Sequence, residues 1–507
     1  MNKEKSICRE NLNSGQYTQS GVLESNKTIT FQHRIKAKLG AEMLFKKFHV
    51  ESLDYYKKWL VLGIIIGIMA GLVSVLFYYA TEASENFFMH YVMGYSRPLP
   101  LGEGGNLSYV FTILMPYLIP ISIILGALIS AWLVYRFAPE TEGHGTDAVV
   151  KSYHEGKVIR ARVSIIKFVS ASLLIGSGGS AGREGPIAQI STSTISNIFK
   201  RIKLSKRDRQ IILAVSIGAA IGSIFKSPFG GALFGAEVLY KRDIEGDVIF
   251  PAFVASTVGF IVYGAFVNYL PMFGVNALSA YAQTAVYTPL VILGFVFLGL
   301  VSGVFAKTYV KIFYFFHRKI KALKMSRYFK PALGAIGTAS IALLFPEVMG
   351  VGYGWVQLII SGNLTALPDF LGMSTLLFVF VLIFAKIFAT SFSIGSGGSG
   401  GVYAPGIFIG ASVGLFTFLI LNMASPQVFS FAILTPFVIV GMLSLFGAAS
   451  KAPIAVAIMV VEMTGSILII PVAMISIAIA YALSGNDTIY ISQKERRKIQ
   501  KHKALAT

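Results

Sequence analysis

LIGSGGSAGREGPIAQI, Leu174–Ile190, and FSIGSGGSGGVYAPGIFI, Phe392–Ile409, are two versions of one glycine-rich loop. Both read Gly-Ser-Gly-Gly-Ser, then a Gly, then a Pro, and Gly395 follows Gly176 by 219 positions. One copy carries Glu184 where the other carries Tyr403. Each loop runs through Pro186 or Pro405 into an apolar stretch. That places the proline in the first turn of a helix, where an N–H would be unpaired anyway. Glycine lets backbone N–H groups approach a ligand without a Cβ in the way. A helix start adds unpaired donors and the positive end of the dipole. Two such starts converging inside an apolar protein make an anion site with no full positive charge, and conduction needs sites that hold weakly enough to release.

The rest of the chain places these loops in a membrane. Of 507 residues, 54% are hydrophobic and 13% charged, with a mean hydropathy of +0.68. Soluble domains carry about 25% charged residues. Leu60–Tyr79 runs 20 residues without a charge, Val110–Tyr135 runs 26, and Ala404–Phe446 is uncharged throughout. A spanning helix needs ~20 apolar residues, so the fold class is an all-α polytopic membrane protein. Shorter runs such as Ile165–Ile175 and Ile211–Phe225 predict helices that tilt or stop partway across. The expected number of spans is roughly ten to fourteen.

The net charge of +20 is clustered. KRIKLSKRDR (200–209), HRKIKALKMSRYFK (317–330) and QKERRKIQKHK (493–503) are basic, whereas Ser84–Ser108 has Arg97 as its only Lys or Arg. The positive-inside rule puts these clusters and both termini on the cytoplasmic face of a cell membrane. The same charge favours anionic lipid headgroups. Nothing around the clusters has the aromatic-interleaved pattern of a nucleic-acid binder, so no nucleic-acid partner is expected. Cys8 is the only cysteine, which excludes an intrachain disulfide or a cysteine metal cluster. No cofactor is expected.

The repeat extends beyond the glycine loops. APETEGHG (Ala138–Gly145) matches FPEVMGVG (Phe345–Gly352) at an offset of 207. Lys167 and Lys386 each stand nine residues before their loop. GSIFKSPFGGALFGAE (Gly222–Glu237) matches GAASKAPIAVAIMVVE (Gly447–Glu462) at Gly, Lys, Pro and Glu, offset 225. Paired Lys and Glu within apolar spans indicate an internal duplication. The expected organisation is a basic cytoplasmic segment (1–59), a first membrane repeat (60–267), a linker (268–286), a second repeat (287–490) and a short basic tail (491–507). Ligand sites of such proteins form where the repeats meet. The sequence itself leaves open whether the repeats are inverted or parallel.

Glu184 is the acid in the two loops. Its carboxylate can occupy the donor nest as a tethered anion and leave it when protonated, acting as gate, proton carrier or both. The alternative is a helix-capping Glu that balances Arg183. Tyr403, its counterpart, offers a neutral phenolic donor.

GREGP (182–186), GGVYAP (400–405), SPFGGALFGAE and KAPIAVAIMVVEMT (451–464) together resemble the CLC family of chloride channels and chloride/proton antiporters. The resemblance covers about Leu60 to Ile491. It implies inverted-repeat halves with broken and tilted helices, a homodimer with one pore per subunit, and chloride as the transported ligand. Carried over, Glu184 is the gating glutamate, and His144, Gly145, Arg183, Gly185, Val402, Tyr403 and Tyr490 form the anion-binding set. Val402 and Tyr403 would act through backbone N–H groups. Three departures stand out. The usual first anion loop, Gly-Ser-Gly-Ile-Pro, reads Gly143-His144-Gly145-Thr146-Asp147 here, with His144 in the serine position. The histidine either donates to the anion or faces away while the backbone does the work. Val238 follows Glu237, where proton-coupled members often have a second acid; Glu237 is then a structural acid paired with Lys226 or a polar neighbour, or part of a proton path. The paired cytoplasmic nucleotide-binding modules of larger relatives are not expected here. Passive or weakly proton-coupled flow is favoured over antiport. Fluoride-specific relatives usually lack the proline that this chain keeps at Pro186.

Two rival classes compete. GGSG (Gly397–Gly400) fits an intramembrane serine protease with Ser399 as nucleophile, but the only later histidine is His502, in the tail. The chain is therefore not expected to be an enzyme. A cation transporter could use Glu184, Glu237 and Glu462, yet the loops present N–H donors rather than clustered acids.

Overall fold

A computed structural model describes residues 54–275, 280–367 and 372–497. Cys8, nearly all of the basic N-terminal segment, part of the linker and the tail beyond residue 497 lie outside the described residues. The membrane body is a compact unit that begins at Trp59.

The described residues form seventeen α-helices and, for β-structure, isolated bridges alone. The first half carries α1 (Tyr55–Glu85), α2 (Leu118–Phe137), α3 (Thr146–Glu155), α4 (Ala161–Gly176), α5 (Glu184–Phe199), α6 (Lys206–Ile224), α7 (Pro228–Glu237) and α8 (Gly246–Phe266). The short α9 (Ala280–Ala285) lies between the halves in sequence. The second half carries α10 (Pro289–Ala322), α11 (Lys330–Leu344), α12 (Tyr353–Ile360), α13 (Thr375–Gly395), α14 (Tyr403–Ala424), α15 (Leu434–Ser450), α16 (Pro453–Thr464) and α17 (Ile470–Ser484). The helix order repeats element for element.

Local chemistry sets the ends. Ser205 caps α6 by accepting the Asp208 N–H at 3.0 Å. Helices α7 and α16 each begin with a proline, and each follows a lysine in the left-handed region, Lys226 at φ 55° and Lys451 at φ 57°. A left-handed non-glycine residue costs roughly 1–2 kcal/mol. Each lysine is held there by its side chain: Lys226 Nζ donates to Gly102 O at 2.8 Å and to Asn268, and Lys451 Nζ to Ser484 Oγ at 2.5 Å. Within the membrane, small residues permit close helix packing. Gly63, Gly67 and Gly71 of α1 form such a stripe against α8, where an added Cβ would come within 2.9 Å, 2.5 Å and 2.8 Å of its atoms.

Eight helices among the described residues are long and apolar enough to cross a membrane, fewer than the roughly ten to fourteen that the apolar runs predicted. The difference lies in the short helices. Every residue of α12, for example, is buried against protein rather than lipid. Enclosed helices need neither the length nor the uniform hydropathy of a lipid-facing span.

The halves are inverted. The Gly182 N–H donates to Gly401 O and the Gly401 N–H to Gly182 O, both at 2.7 Å, as an antiparallel bridge. These glycines occupy the same place in the two loops. A position that pairs reciprocally with its own repeat mate lies on a two-fold axis. The carboxylates agree. Glu237, at the end of α7, accepts the N–H groups of Ile454 (3.3 Å) and Ala455 (2.7 Å) at the start of α16. Glu462, near the end of α16, accepts those of Phe229 (3.1 Å) and Gly230 (2.8 Å) at the start of α7. The two helices therefore pack antiparallel and cap each other. The buried lysines repeat the theme within each half: Lys167 Nζ donates to Thr141 O and Gly143 O, and Lys386 Nζ to Val348 O and Gly350 O. Lys226, which with a polar neighbour was one of the two partners expected for Glu237, is bound elsewhere. A helix N-terminus supplied by the other half took that place.

Candidate anion pathway

The Gly182–Gly401 bridge brings the N-terminus of α5 beside that of α14. Glu184 opens α5 and is 2% exposed. Its Oε1 accepts the Tyr353 hydroxyl, and its Oε2 accepts the Ala404 N–H at 3.4 Å. The carboxylate of one half thus lies against the helix start of the other, on donors and a positive dipole end that suit an anion. Val402 caps α14 and Tyr403 opens it, so the donor that meets the carboxylate is one position beyond those the resemblance implied.

Tyr403 differs from expectation in its side chain. Its hydroxyl reaches Met459 Sδ at 4.0 Å, and its ring packs 4.5 Å from both Phe225 and Phe446. It lines the pathway as an aromatic wall. Arg183 also differs. Its guanidinium donates to Glu103 at 2.5 Å, both groups buried, and lies over the rings of Tyr78 (5.3 Å) and Tyr353 (5.8 Å). Its charge is engaged by Glu103, and among the described residues it makes no ion pair with Glu184.

At the other end stand His144 and Tyr490. The His144 ring lies 5.5 Å from that of Tyr490, and its Nδ1 is buried with no hydrogen-bond partner among the described residues. The side chain lines the wide cavity described below. The chain just after Tyr490 is clamped: Asp147 accepts both the Ser492 N–H and its hydroxyl at 2.7 Å, and Gln493 donates to Val238 O and Ser450 O. Gly145 and Gly185 serve close packing. A Cβ on Gly185 would fall 1.7 Å from His144 O, and one on Gly145 would fall 2.4 Å from Gly185 O.

A wide cavity of about 540 Å³ ends at His144, with Gly145, Asp147, Phe313, His317 and Lys321 in its wall. A narrow cavity on the far side of Glu184 is lined by Arg183, Glu103, Tyr353 and Trp355 together with the Glu85–Arg97 ion pair. Between them runs a chain of rings: His144, Tyr490, Phe234 (6.4 Å from Tyr490 and from Tyr403), Tyr403, Phe225 and Tyr353. Glu237 lies off this chain in its capping role, and Val238 beside it is fully buried.

Sequence reasoning missed Tyr353, Glu103 and Asp147. A signal existed for one of them. Extending the 207-residue offset by a single position pairs Thr146 with Tyr353.

A family model described as voltage gated chloride channel matches residues 126–485, most of the chain. The chain belongs to the voltage-gated chloride channel, or CLC, family. Curated relatives include an uncharacterized protein of Methanocaldococcus jannaschii, 28% identical over 396 residues (76% of this chain, 92% of the relative). The voltage-gated ClC-type chloride channel ClcB of Escherichia coli is 25% identical over 438 residues (85% and 97%). Among solved structures, a slow cyanobacterial Cl−/H+ antiporter aligns with a TM-score of 0.68 at 21% identity (85% and 95%). A CLC-type fluoride/proton antiporter aligns at 0.69 and 20% identity (87% and 98%), and at these identities the likeness is one of fold. As a CLC protein the chain is a multi-pass membrane protein of chloride transport, in a family of channels and transporters rather than enzymes.

Proposed function

We propose that this CLC protein passes chloride between the wide and narrow cavities, that the Glu184 carboxylate closes the pathway, and that the flow is passive or weakly coupled to protons. The observation that carries the gate is the Glu184 carboxylate on the helix start of the opposite half. An anion arriving there competes for the same donors. Weak coupling is supported by Val238, which leaves no acid after Glu237, and by Glu237 itself, whose carboxylate already accepts two N–H groups. Moving a proton through apolar protein needs an ionisable station or water, and the usual station is absent. Bromide and nitrate are further expected substrates. The wide cavity faces the cytoplasm in this reading, since Lys321 and the clamp behind Tyr490 adjoin basic clusters 317–330 and 493–503. A homodimer in an anionic membrane completes it.

Chloride/proton antiport is the second reading. It is favoured by the unpartnered Nδ1 of His144 at the end of the wide cavity, a titratable group where a proton would enter. A single experiment separates the two. A chloride gradient is imposed across proteoliposomes, the voltage is clamped with a potassium ionophore, and external pH is followed. Passive flow predicts no proton movement beyond leak. Uphill proton movement driven by chloride, abolished in Glu184→Gln, establishes antiport. Replacing chloride by gluconate abolishes flux in either case, whereas a cation carrier is indifferent to it.

A further inference from the structure

We infer that Tyr353 is the positioning residue of the gate: its hydroxyl holds the Glu184 carboxylate on the N-terminus of α14 and so sets the pH at which the pathway opens. This rests on the reading of Glu184 as the gate.

The geometry gives the hydroxyl one task. Tyr353 is the first residue of α12 and is 3% exposed. Phe273 stands edge-on to its ring at 5.6 Å, Phe225 lies at 6.3 Å, and the Arg183 guanidinium covers it at 5.8 Å. A ring fixed on these sides points its hydroxyl at Glu184 Oε1. The repeat explains the placement. Thr146, the mate of Tyr353, opens α3 directly after His144 and Gly145. Each short helix therefore begins with a hydroxyl-bearing residue. At the Glu184 end the longer reach of a phenol replaces that of a threonine.

A donor to a carboxylate favours its charged form. The other groups around Glu184 are largely committed to one another. Arg183 is paired with Glu103, and Arg97 with Glu85. Lys226 is bound to Gly102 O and Asn268. Tyr78 lies under the Arg183 guanidinium with Tyr263 against it, Tyr403 precedes Ala404 at the start of α14, and Tyr490 stands beyond Phe234. The Tyr353 hydroxyl is the side-chain donor aimed at the carboxylate, beside the backbone donor of Ala404. Without it, the charged, closed form loses a charge-assisted hydrogen bond. Protonation and opening then occur at higher pH.

The test measures chloride efflux from proteoliposomes against pH. Tyr353→Phe, which keeps the ring, is expected to move the activation curve to higher pH by about one to two units. In a Glu184→Ala background the same substitution is expected to move nothing. Replacing Tyr353 with 3-fluorotyrosine, a more acidic and stronger donor, is expected to move the curve the opposite way. It also serves if the Phe variant fails to fold, as judged by size-exclusion profile. A folded Tyr353→Phe protein with the wild-type curve overturns the inference, as does an unmoved fluorotyrosine curve. If Glu184→Gln itself keeps the wild-type pH dependence, the gate reading fails. If Glu184→Gln flattens the curve and Tyr353→Phe does not shift it, the inference about Tyr353 fails alone.

Discussion

Glu184→Gln is expected to carry chloride faster than the native protein at neutral pH and to lose most of its dependence on pH. The native carboxylate accepts from both sides, from the Tyr353 hydroxyl and from the Ala404 N–H. A carboxylate can do this because both of its oxygens are acceptors. A glutamine cannot. With its carbonyl towards Tyr353, its NH2 meets the Ala404 N–H, donor against donor. The amide also lacks the charge that the α14 N-terminus attracts. Hydrogen bonds to charged groups contribute about 1.5–3 kcal/mol each, so losing even one changes the closed population at least about tenfold. Efflux at neutral pH should rise by a similar factor until another step limits it. The measurement is chloride efflux from vesicles, from acid to neutral pH, normalised to incorporated protein. A mutant curve with the native shape and midpoint would show that Glu184 is not the switch.

Glu237→Ala and Glu462→Ala are each expected to lower the thermal stability of the detergent-solubilised protein, and the double variant to lower it by nearly the sum. Each carboxylate supplies the acceptor for two N–H groups at a helix start in the other half. Removing such a cap costs about 1–2 kcal/mol. The two caps sit at opposite ends of an antiparallel pair, roughly 15 Å apart for a ten-residue helix. At that separation the effects should add. Size-exclusion profiles after heating give the midpoint for each variant. If Glu237→Ala instead keeps native stability and loses proton movement in a chloride-driven assay, Glu237 is a proton station, and its capping bonds are incidental.

The roles of these two acids separate what sequence and structure each contribute. Repetition was legible because a duplicated membrane protein leaves marks that apolar surroundings make conspicuous. The loops at Gly176 and Gly395, the lysines at 167 and 386, and the acids at 237 and 462 all recur in order. Long uncharged runs required helices, and an acid in one glycine loop alone singled out Glu184. Partnership was not legible. Lys226 precedes Glu237 by 11 residues and carries the complementary charge, so proximity along the chain suggested that pair. The chosen partner, Ala455 N–H, is 218 positions away and has no side chain to advertise it. Tyr353 likewise meets Glu184 across 169 positions. The sequence by itself determined that there are two copies, that they lie in a membrane, and which of them holds the acid. The inversion, which the repeat alone left open and the resemblance implied, is fixed by the tertiary structure, and only that structure decided that each acid faces the opposite half. The reason is physical: the strongest partners here are backbone N–H groups at helix starts, a chemistry that every residue but proline carries and that becomes a site only once an axis brings two starts together.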